Sequence, residues 1–251
     1  MNKFKIKFSD TNTVFGMLHL KGNSTDDVVA RAIREARIMD EAGLHGLIVE
    51  NYFGTVENVI DVLSALGDLG LKCKLGINIL GGHGAAFELA QRFPIDFIQL
   101  DSVSGHLRPE DDAAFAADLL RLRGATEAAI LGGVRFKYMP VLSGRSEAED
   151  LDLGCDRCDA IVVTSDATGQ ETDLNKIFRF RQVLGDDMPI LIGAGLTAAN
   201  VRAGFDIADG GIVGSWLKDN HADHGDIDAG HTDTFMKAAQ KNAEYNGCAR
   251  C

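Results

Sequence analysis

Polar residues of the types that act as acids, bases and charge-stabilising groups recur where short apolar runs of this sequence end. The set consists of His19, Glu50, Asn51, Asn78, Asp101, Lys137, Thr164, Ser165 and Asp166. The runs before them, such as GLIV before Glu50, are typical of buried strands in a parallel sheet. Because the carboxyl ends of parallel strands lie on one rim of a barrel, we expect these side chains to converge there.

Glu50 and Asp101 carry the strongest functional signal, because a carboxylate that ends an apolar strand must be paired, bind a metal or take part in chemistry. Lys137 is either their ion-pair partner or an electrophilic or Schiff-base lysine, and the sequence favours neither. His19 and Asn78 are each either a hydrogen-bonded structural residue or part of the catalytic group. Together with His19, the two carboxylates could hold Mg²⁺ or Mn²⁺.

The stretch from 190 to 218, ILIGAGLTAANVRAGFDIADGGIVGSWLK, predicts a phosphate site. Each of its two apolar runs ends in a glycine turn. These turns contain Gly193, Gly195, Gly214 and Ser215. Glycines at such turns let backbone N–H groups approach an oxyanion closely. The alternative is that they only make tight turns in another parallel α/β fold.

Two further features would complete this phosphate cradle. A helix predicted from Thr197 to about Ala208 would add the partial positive charge of its N terminus. In the preceding loop, SDATGQETD, the hydroxyl of Thr168 and the amide of Gly169 could contact the same anion. A phosphorylated small molecule anchored there would have its reactive carbons over the carboxylates and the lysine.

Eight apolar runs alternate with segments of helical periodicity. The expected strands lie at 13–20, 46–51, 75–80, 97–103, 135–142 and 160–165, with two more between 190 and 214. Helices are expected between them, at 56–69, 85–93, 109–123, 146–154, 173–184, 197–208 and 232–245, after a first helix capped by Ser24 or Thr25 that stops at Gly43. This alternation predicts an α/β fold, a (βα)8 TIM barrel whose loops after strands 6 to 8 bind phosphate. An open doubly wound sheet is the alternative.

We interpret residues 1–251 as a single domain with a short N-terminal extension (1–12) and a flexible C-terminal tail (247–251). The net charge of -12 and the pI of about 4.9 argue against nucleic acid and anionic membranes as partners. The sequence has no apolar run of about 18 residues and no secretory signal at its start, so we expect a cytoplasmic protein without a transmembrane segment. We also expect a homo-oligomer.

Four of the five cysteines form two CxxC pairs, Cys155/Cys158 and Cys248/Cys251. A structural zinc site would need all four thiolates, but the spacer between the pairs is far longer than the usual ~15–20 residues, which favours ordinary thiols. The loop from 219 to 233 contains three histidines among five aspartates. It could be a metal-binding lid, although a solvated acidic loop is the favoured interpretation.

Several motifs together resemble the BtpA family, which is named for a cyanobacterial photosystem I biogenesis protein. They are GMLHL at 16–20, GLIVEN at 46–51, DFIQLD at 96–101, AIVVTSDATG at 160–169, and IGAGLTAANV with GGIVGSWLK in the last third. The resemblance covers residues 13–236 and implies a TIM barrel related to phosphate-binding barrels. The family's motif residues carry over at His19, Glu50, Asn51, Asn78, Lys137, Thr164, Thr168, Gly169, Gly193, Gly195, Gly214 and Lys218. Gln99, Asp101 and Tyr138 depart from the pattern expected of the family.

Two classes of function follow from these observations. The first is an enzyme of carbohydrate metabolism that acts on a phosphorylated sugar or related metabolite by acid/base chemistry, as an isomerase, epimerase or lyase. The second is a non-catalytic assembly factor, as the family name implies, or a ligand sensor that uses the same pocket. The polar residues at the strand ends favour the enzyme, because a scaffold has no need of them at a buried mouth.

Overall fold

The computed structural model describes residues 2–8 and 12–240, and in it eight parallel strands form a closed barrel. Each strand pairs with the next in chain order, and the last pairs with the first. The strands are β1 (Thr13–Leu18), β2 (Gly46–Glu50), β3 (Lys74–Asn78), β4 (Phe97–Ser104), β5 (Ala129–Val134), β6 (Ala160–Val163), β7 (Ile190–Ile192) and β8 (Gly210–Val213). The predicted (βα)8 barrel is confirmed, and the open sheet is wrong.

The helices pack around this barrel. They are α1 (Lys3–Lys7), α2 (Thr25–Glu41), α3 (Val56–Gly67), α4 (His83–Arg92), α5 (Pro109–Gly124), α6 (Glu147–Arg157), α7 (Leu174–Leu184), α8 (Val201–Phe205) and α9 (Ala229–Gln240). Polar caps fix several starts: the Ser24 hydroxyl accepts the N–H of Asp27, and Thr55 and Ser146 form capping boxes. Within the described ranges, no helix is both long and apolar enough to cross a membrane.

The N-terminal segment closes the amino end of the barrel. Phe4 and Phe8 are buried, and the ring of Phe8 lies 5.0 Å from that of Phe15 and 5.7 Å from that of Phe97, centroid to centroid. The Asn2 side chain donates to the carbonyl of Asp159, just before β6. Part of the expected extension is therefore a plug that completes the core inside the barrel.

Phe8→Leu is expected to lower the free energy of unfolding by about 1 kcal/mol, because leucine fills most of the volume but loses the aromatic contacts. Ile6→Leu on the same helix is the control, since Ile6 is 61% exposed. Urea unfolding of both variants measures the difference. Equal losses of unfolding free energy in the two variants would show that the Phe8 ring does not stabilise the barrel.

The fifth strand was predicted at the wrong place. Residues 135–142 form the loop after β5, and the strand itself is Ala129–Val134. Arg135 and Tyr138 have φ angles of 48° and 62°, which no strand residue adopts. The prediction failed because the apolar and aromatic run RFKYMPVL has the composition of a strand, whereas the strand AILGGV contains two glycines.

These glycines are required by packing rather than by a turn. A Cβ on Gly133 would overlap the Asp101 carbonyl oxygen and the Phe136 ring, and one on Gly132 would lie 2.8 Å from Cys158 Cβ. The β4–β5 pairing is also irregular between Leu100 and Ser104. Glycine in a strand interior marks such a close approach of neighbouring segments.

The first CxxC pair lies at the amino end of β6, where Cys155 belongs to the last turn of α6 and Cys158 follows that helix. The Cys158 thiol is buried and donates to the Gly154 carbonyl, and burial raises the pKa of both thiols. Cys248 and Cys251, like the predicted tail, lie outside the described residues. Within those residues, no three His, Cys, Asp or Glu side chains converge as a metal site.

Candidate functional site

A cavity of about 700 Å³ opens at the carboxyl ends of the strands. Most of the residues predicted for the site line it. They are His19, Glu50, Asp101, Lys137, Thr168, Gly169, Gly193, Gly195, Gly214 and Ser215. Asn78 lies behind this lining and contacts two of its members. The strand ends thus bring together residues that are up to about two hundred positions apart in the sequence.

Asn78 holds two carboxylates in place. Its side-chain nitrogen donates to Glu50 Oε1 at 2.8 Å and to Asp101 Oδ1 at 3.0 Å. The register explains this arrangement, since Glu50 of β2 pairs with Asn78 of β3, which pairs with Gln99 of β4. Paired residues point to the same side of a sheet, so the three form one polar row inside the barrel.

Glu50 is a protonated acid at neutral pH. Its side chain is buried, and burial together with repulsion from Asp101 raises its pKa to about 8, against smaller lowering effects of Lys137 and Asn78. A carboxylic acid at such a position can donate a proton to a bound substrate.

His19 follows β1 and is neutral. Its Nδ1–H donates to the carbonyl of Asp223 at 3.1 Å, so the lone pair of Nε2 faces Glu50 Oε2, which is 3.7 Å away. Burial, followed by the charge of Lys218, lowers the His19 pKa to about 4. The site therefore contains a proton donor and a proton acceptor side by side.

Lys137 lies on the loop after β5, held by a hydrogen bond from its N–H to the Thr164 hydroxyl (2.9 Å). Its ammonium is 5.6 Å from the centroid of the Phe136 ring. No ion pair among residues 2–8 and 12–240 contains Lys137. The Glu50 carboxyl lies beside His19 instead. The lysine lowers the pKa of Glu50 and of His19 through space. This geometry favours a role toward a ligand over a structural ion pair.

Hydrogen bonds rather than a shared cation join the two carboxyl groups in this structure. The Asn78 NH₂ donates to both, so the group between Glu50 and Asp101 is a donor and not an oxygen ligand. Mg²⁺ and Mn²⁺ need ionised oxygen ligands. The arrangement instead fits two carboxyl groups that share hydrogen bonds.

The glycine turns line the cavity after β7 and β8, and β8 is the neighbour of β1, the strand that His19 follows. Gly195 has a φ of 69°, and a Cβ there would overlap the Gln170 carbonyl. Gly193 is crowded by Val162. Ser215 begins a 3-10 turn (Ser215–Leu217) after Gly214, and the first N–H groups of such a turn have no acceptor within it. Gly193 and Gly195 are thus needed for packing. Because the Gly193 N–H already donates to the Val163 carbonyl, the first N–H groups of the turn at Ser215 are the amides left at the cavity wall.

The helix predicted after the first glycine turn is much shorter than expected. α8 has five residues, Val201–Phe205, instead of the predicted 197–208. The Thr197 hydroxyl accepts the N–H groups of Ala199 and Asn200, and Asn200 Oδ1 accepts the N–H of Thr197. The Thr197 side chain therefore caps a turn, as predicted. The N–H groups of this turn, however, already have acceptors. The predicted bounds of the helix are wrong, and the N–H groups of Thr197, Ala199 and Asn200 are not available to an anion.

Thr168 makes a contact that the sequence does not predict. Its N–H donates to the Tyr138 hydroxyl at 2.8 Å. Tyr52 stacks on His19, with ring centroids 4.8 Å apart, and its hydroxyl donates to Asp223 Oδ2 at 3.1 Å. Loops after β2, β5, β6 and β8 thus meet over the cavity. These contacts were missed since they involve loop residues without periodicity; only the aromatic character of Tyr52 and Tyr138 hinted at them.

The acidic loop predicted at 219–233 ends at Asp228, because α9 begins at Ala229, and it has two sides. Its outer side is exposed, as expected of a solvated loop, whereas His221 and Asp223 line the cavity. His221 stacks between Trp216 and His231, at centroid distances of 4.4 and 4.3 Å, rather than converging with other histidines on a metal position. The loop contributes to the site by covering it and by orienting His19.

Residues 10–241 match the model of the BtpA family. The chain belongs to the BtpA family. An uncharacterized protein of Thermococcus kodakarensis is 29% identical over 230 residues, which cover 82% of this chain and 86% of that protein. The photosystem I biogenesis protein BtpA of Synechocystis is 25% identical, with 92% of this chain and 89% of that protein covered.

Solved barrels share the fold at low sequence identity. A structure described as native KDPGal has a TM-score of 0.66 and 14% identity, over 92% of this chain and 96% of that one. The (S)-3-O-geranylgeranylglyceryl phosphate synthase of Thermoplasma acidophilum, solved with its substrate sn-glycerol-1-phosphate, has a TM-score of 0.62 and 13% identity, over 95% and 97%. At such identity, the likeness shows the fold alone.

Proposed function

We propose that this protein is an enzyme that acts on a phosphorylated sugar or related small metabolite by acid/base chemistry, as an isomerase, epimerase or lyase. The observation that carries the proposal is the pair formed by protonated Glu50 and neutral His19, 3.7 Å apart at the wall of a 700 Å³ cavity. Titratable groups with opposed pKa shifts in a cleft are a mark of acid/base catalysis.

The chemistry assigned to these residues is proton transfer beside a carbonyl group. His19 Nε2 would take a proton from the carbon next to the carbonyl while Glu50 donates its proton to the carbonyl oxygen, which yields an enol. The charge of Lys137 would stabilise the negative charge that develops on that oxygen. Return of the His19 proton to carbon completes the reaction while Glu50 regains its proton. In epimerisation the proton returns to the opposite face of the same carbon and Glu50 takes the enol O–H proton; in isomerisation it returns to the former carbonyl carbon and Glu50 takes the proton of the neighbouring enediol hydroxyl. Asp101 and Asn78 would hold the substrate and the acid in position.

Backbone amides at the glycine turns support a phosphate on the β7–β8 side of the cavity. Gly193, Gly195, Gly214 and Ser215 all line the cavity, and glycine turns at the last two strands of a barrel commonly bind phosphate. A Cβ on Gly214 would lie only 3.4 Å from His19 Cε1, so a phosphate there would be close to the acid/base pair. The Thermoplasma barrel, which holds a phosphorylated substrate, is consistent with this proposal.

The proposal predicts that phosphorylated metabolites raise the melting temperature of the protein. A ligand at about 100 times its dissociation constant adds about 2.7 kcal/mol of stability. Ser215→Asp places a carboxylate at the cradle, so we expect it to abolish the shift by repelling the phosphate. Ser215→Asn is the matched neutral control and should retain the shift.

The test also separates the enzyme from a non-catalytic assembly factor, which the name of the Synechocystis relative suggests. Absence of any shift across a panel of phosphorylated metabolites contradicts the phosphate site. A shift that survives in Ser215→Asp places the anion elsewhere. A ligand that binds at this site without being converted would favour a sensor.

A further inference from the structure

Gln99 has a buried side-chain amide whose oxygen is unpaired among the described residues. Its side chain lines the cavity from β4, the residue is only 5% exposed, and its Oε1 has no hydrogen-bond partner among the described residues. Leaving a buried polar group unpaired costs about 1–3 kcal/mol. An apolar residue at this position would avoid that cost, so the amide points to a polar group that a ligand supplies.

The barrel topology sets how far this amide lies from the proposed phosphate. The strands follow one another in chain order around the barrel, so β4 lies directly opposite β8, which is followed by Gly214. For eight strands about 4.8 Å apart and tilted by about 36°, the barrel is roughly 15 Å wide between opposite backbones. The Gln99 side chain and a hydrogen bond of about 3 Å at each end take up part of this width, so a ligand that contacts both walls has to span the remainder.

The size of the cavity agrees with a long ligand. A volume of about 700 Å³ equals that of roughly 23 liquid water molecules at about 30 Å³ each. A three-carbon phosphate, with about ten non-hydrogen atoms, would leave more than half of this space to water. A phosphate on a chain of about five or six carbons spans the gap between the Gln99 side chain and the glycine turns better and fills more of the cavity.

We infer that the ligand is a polyhydroxylated monophosphate of five or more carbons, whose hydroxyl farthest from the phosphate binds Gln99. This inference rests on the proposed function, since it takes the phosphate to lie at the β7 and β8 turns. A hydroxyl is the group that fits, because it both donates and accepts and so matches either end of the amide. Asp101, which lines the same wall two residues further along, can accept from a neighbouring hydroxyl.

The experiment compares ligand length with and without the amide. Calorimetry measures binding of glycerol 1-phosphate, ribulose 5-phosphate, fructose 6-phosphate and 1-deoxyfructose 6-phosphate to wild type and to Gln99→Leu. We expect wild type to bind at least one longer ligand about tenfold or more tightly than glycerol phosphate. Gln99→Leu should weaken the longer ligand by about 3- to 10-fold and leave glycerol phosphate unchanged. Exposed Gln91, at the end of α4, provides the control variant Gln91→Leu.

The deoxy compound tests the distal hydroxyl directly. If fructose 6-phosphate is the tighter ligand, removing its C1 hydroxyl should weaken binding to wild type but not to Gln99→Leu. Equal affinity for short and long phosphates, together with an unchanged Gln99→Leu variant, overturns the inference and leaves the phosphate site intact. Failure of every phosphate to bind wild type overturns both the inference and the phosphate site.

Discussion

Lys137→Met is expected to lower turnover of the phosphorylated substrate by about 100-fold or more while the protein stays folded. Methionine keeps most of the stem volume and removes the charge that would stabilise the developing oxyanion. Because no ion pair within the described ranges contains Lys137, its loss leaves no carboxylate newly unpaired. We therefore expect the free energy of unfolding to change by less than about 1 kcal/mol.

Steady-state kinetics and urea unfolding of the same variant measure both effects. Lys72→Met, at an exposed lysine just before β3 on the opposite rim, is the control for loss of one positive charge. Lys137→Arg keeps the charge and should retain more activity than Lys137→Met. A loss of stability of about 3–5 kcal/mol with unchanged turnover would instead identify Lys137 as the structural partner of the buried carboxylates.

The barrel could be predicted because its strands are short apolar runs that end in polar residues. GLIVEN shows why: each residue of Gly46–Glu50 is buried, so the run is continuously apolar until Glu50 reaches the cavity. β5 was missed because its identity depends on tertiary packing. Gly132 and Gly133 resemble a turn in sequence, and only the contacts with neighbouring segments show that no side chain fits there.

The site could be predicted as far as strand ends determine it. Glu50, Asn78 and Asp101 were expected to converge, and the hydrogen bonds of Asn78 join the three. The register decides that Asn78 bridges the carboxylates, and no sequence pattern contains that register. Asp223 could not be predicted as the residue that orients His19, because its loop has no periodicity and its contact is made by a backbone carbonyl.

The unfolding free energy of wild type is expected to fall as the pH rises from 6.5 to about 8, and Glu50→Gln should remove this fall. The Glu50 pKa is about 8 in the folded protein and 4.5 ordinarily, so between these values unfolding releases a proton and higher pH favours it. The His19 pKa is about 4 in the folded protein and 6.5 ordinarily. Between these values unfolding takes up a proton, so the His19 contribution to the unfolding free energy rises with pH and levels off near pH 6.5. Above about pH 6.5 the contribution of Glu50 outlasts that of His19, with a slope of up to about 1.4 kcal/mol per pH unit.

Urea unfolding between pH 6.5 and about pH 8 measures this slope, below the range in which the cysteine thiols titrate. In the Glu50→Gln variant the new amide oxygen would accept from Asn78, as the carboxyl oxygen does. The new NH₂ would face His19 Nε2 in place of the acidic proton. Because both contacts are kept, the fold should persist. Glu88→Gln, at an exposed position of α4, is the control for loss of one carboxylate and should keep the wild-type slope. In kinetics, Glu50→Gln should lower turnover by about 10²- to 10⁴-fold, since the amide cannot donate the proton. Parallel pH curves for wild type and Glu50→Gln would mean that Glu50 is already ionised at neutral pH, and a different residue would then have to supply the acid.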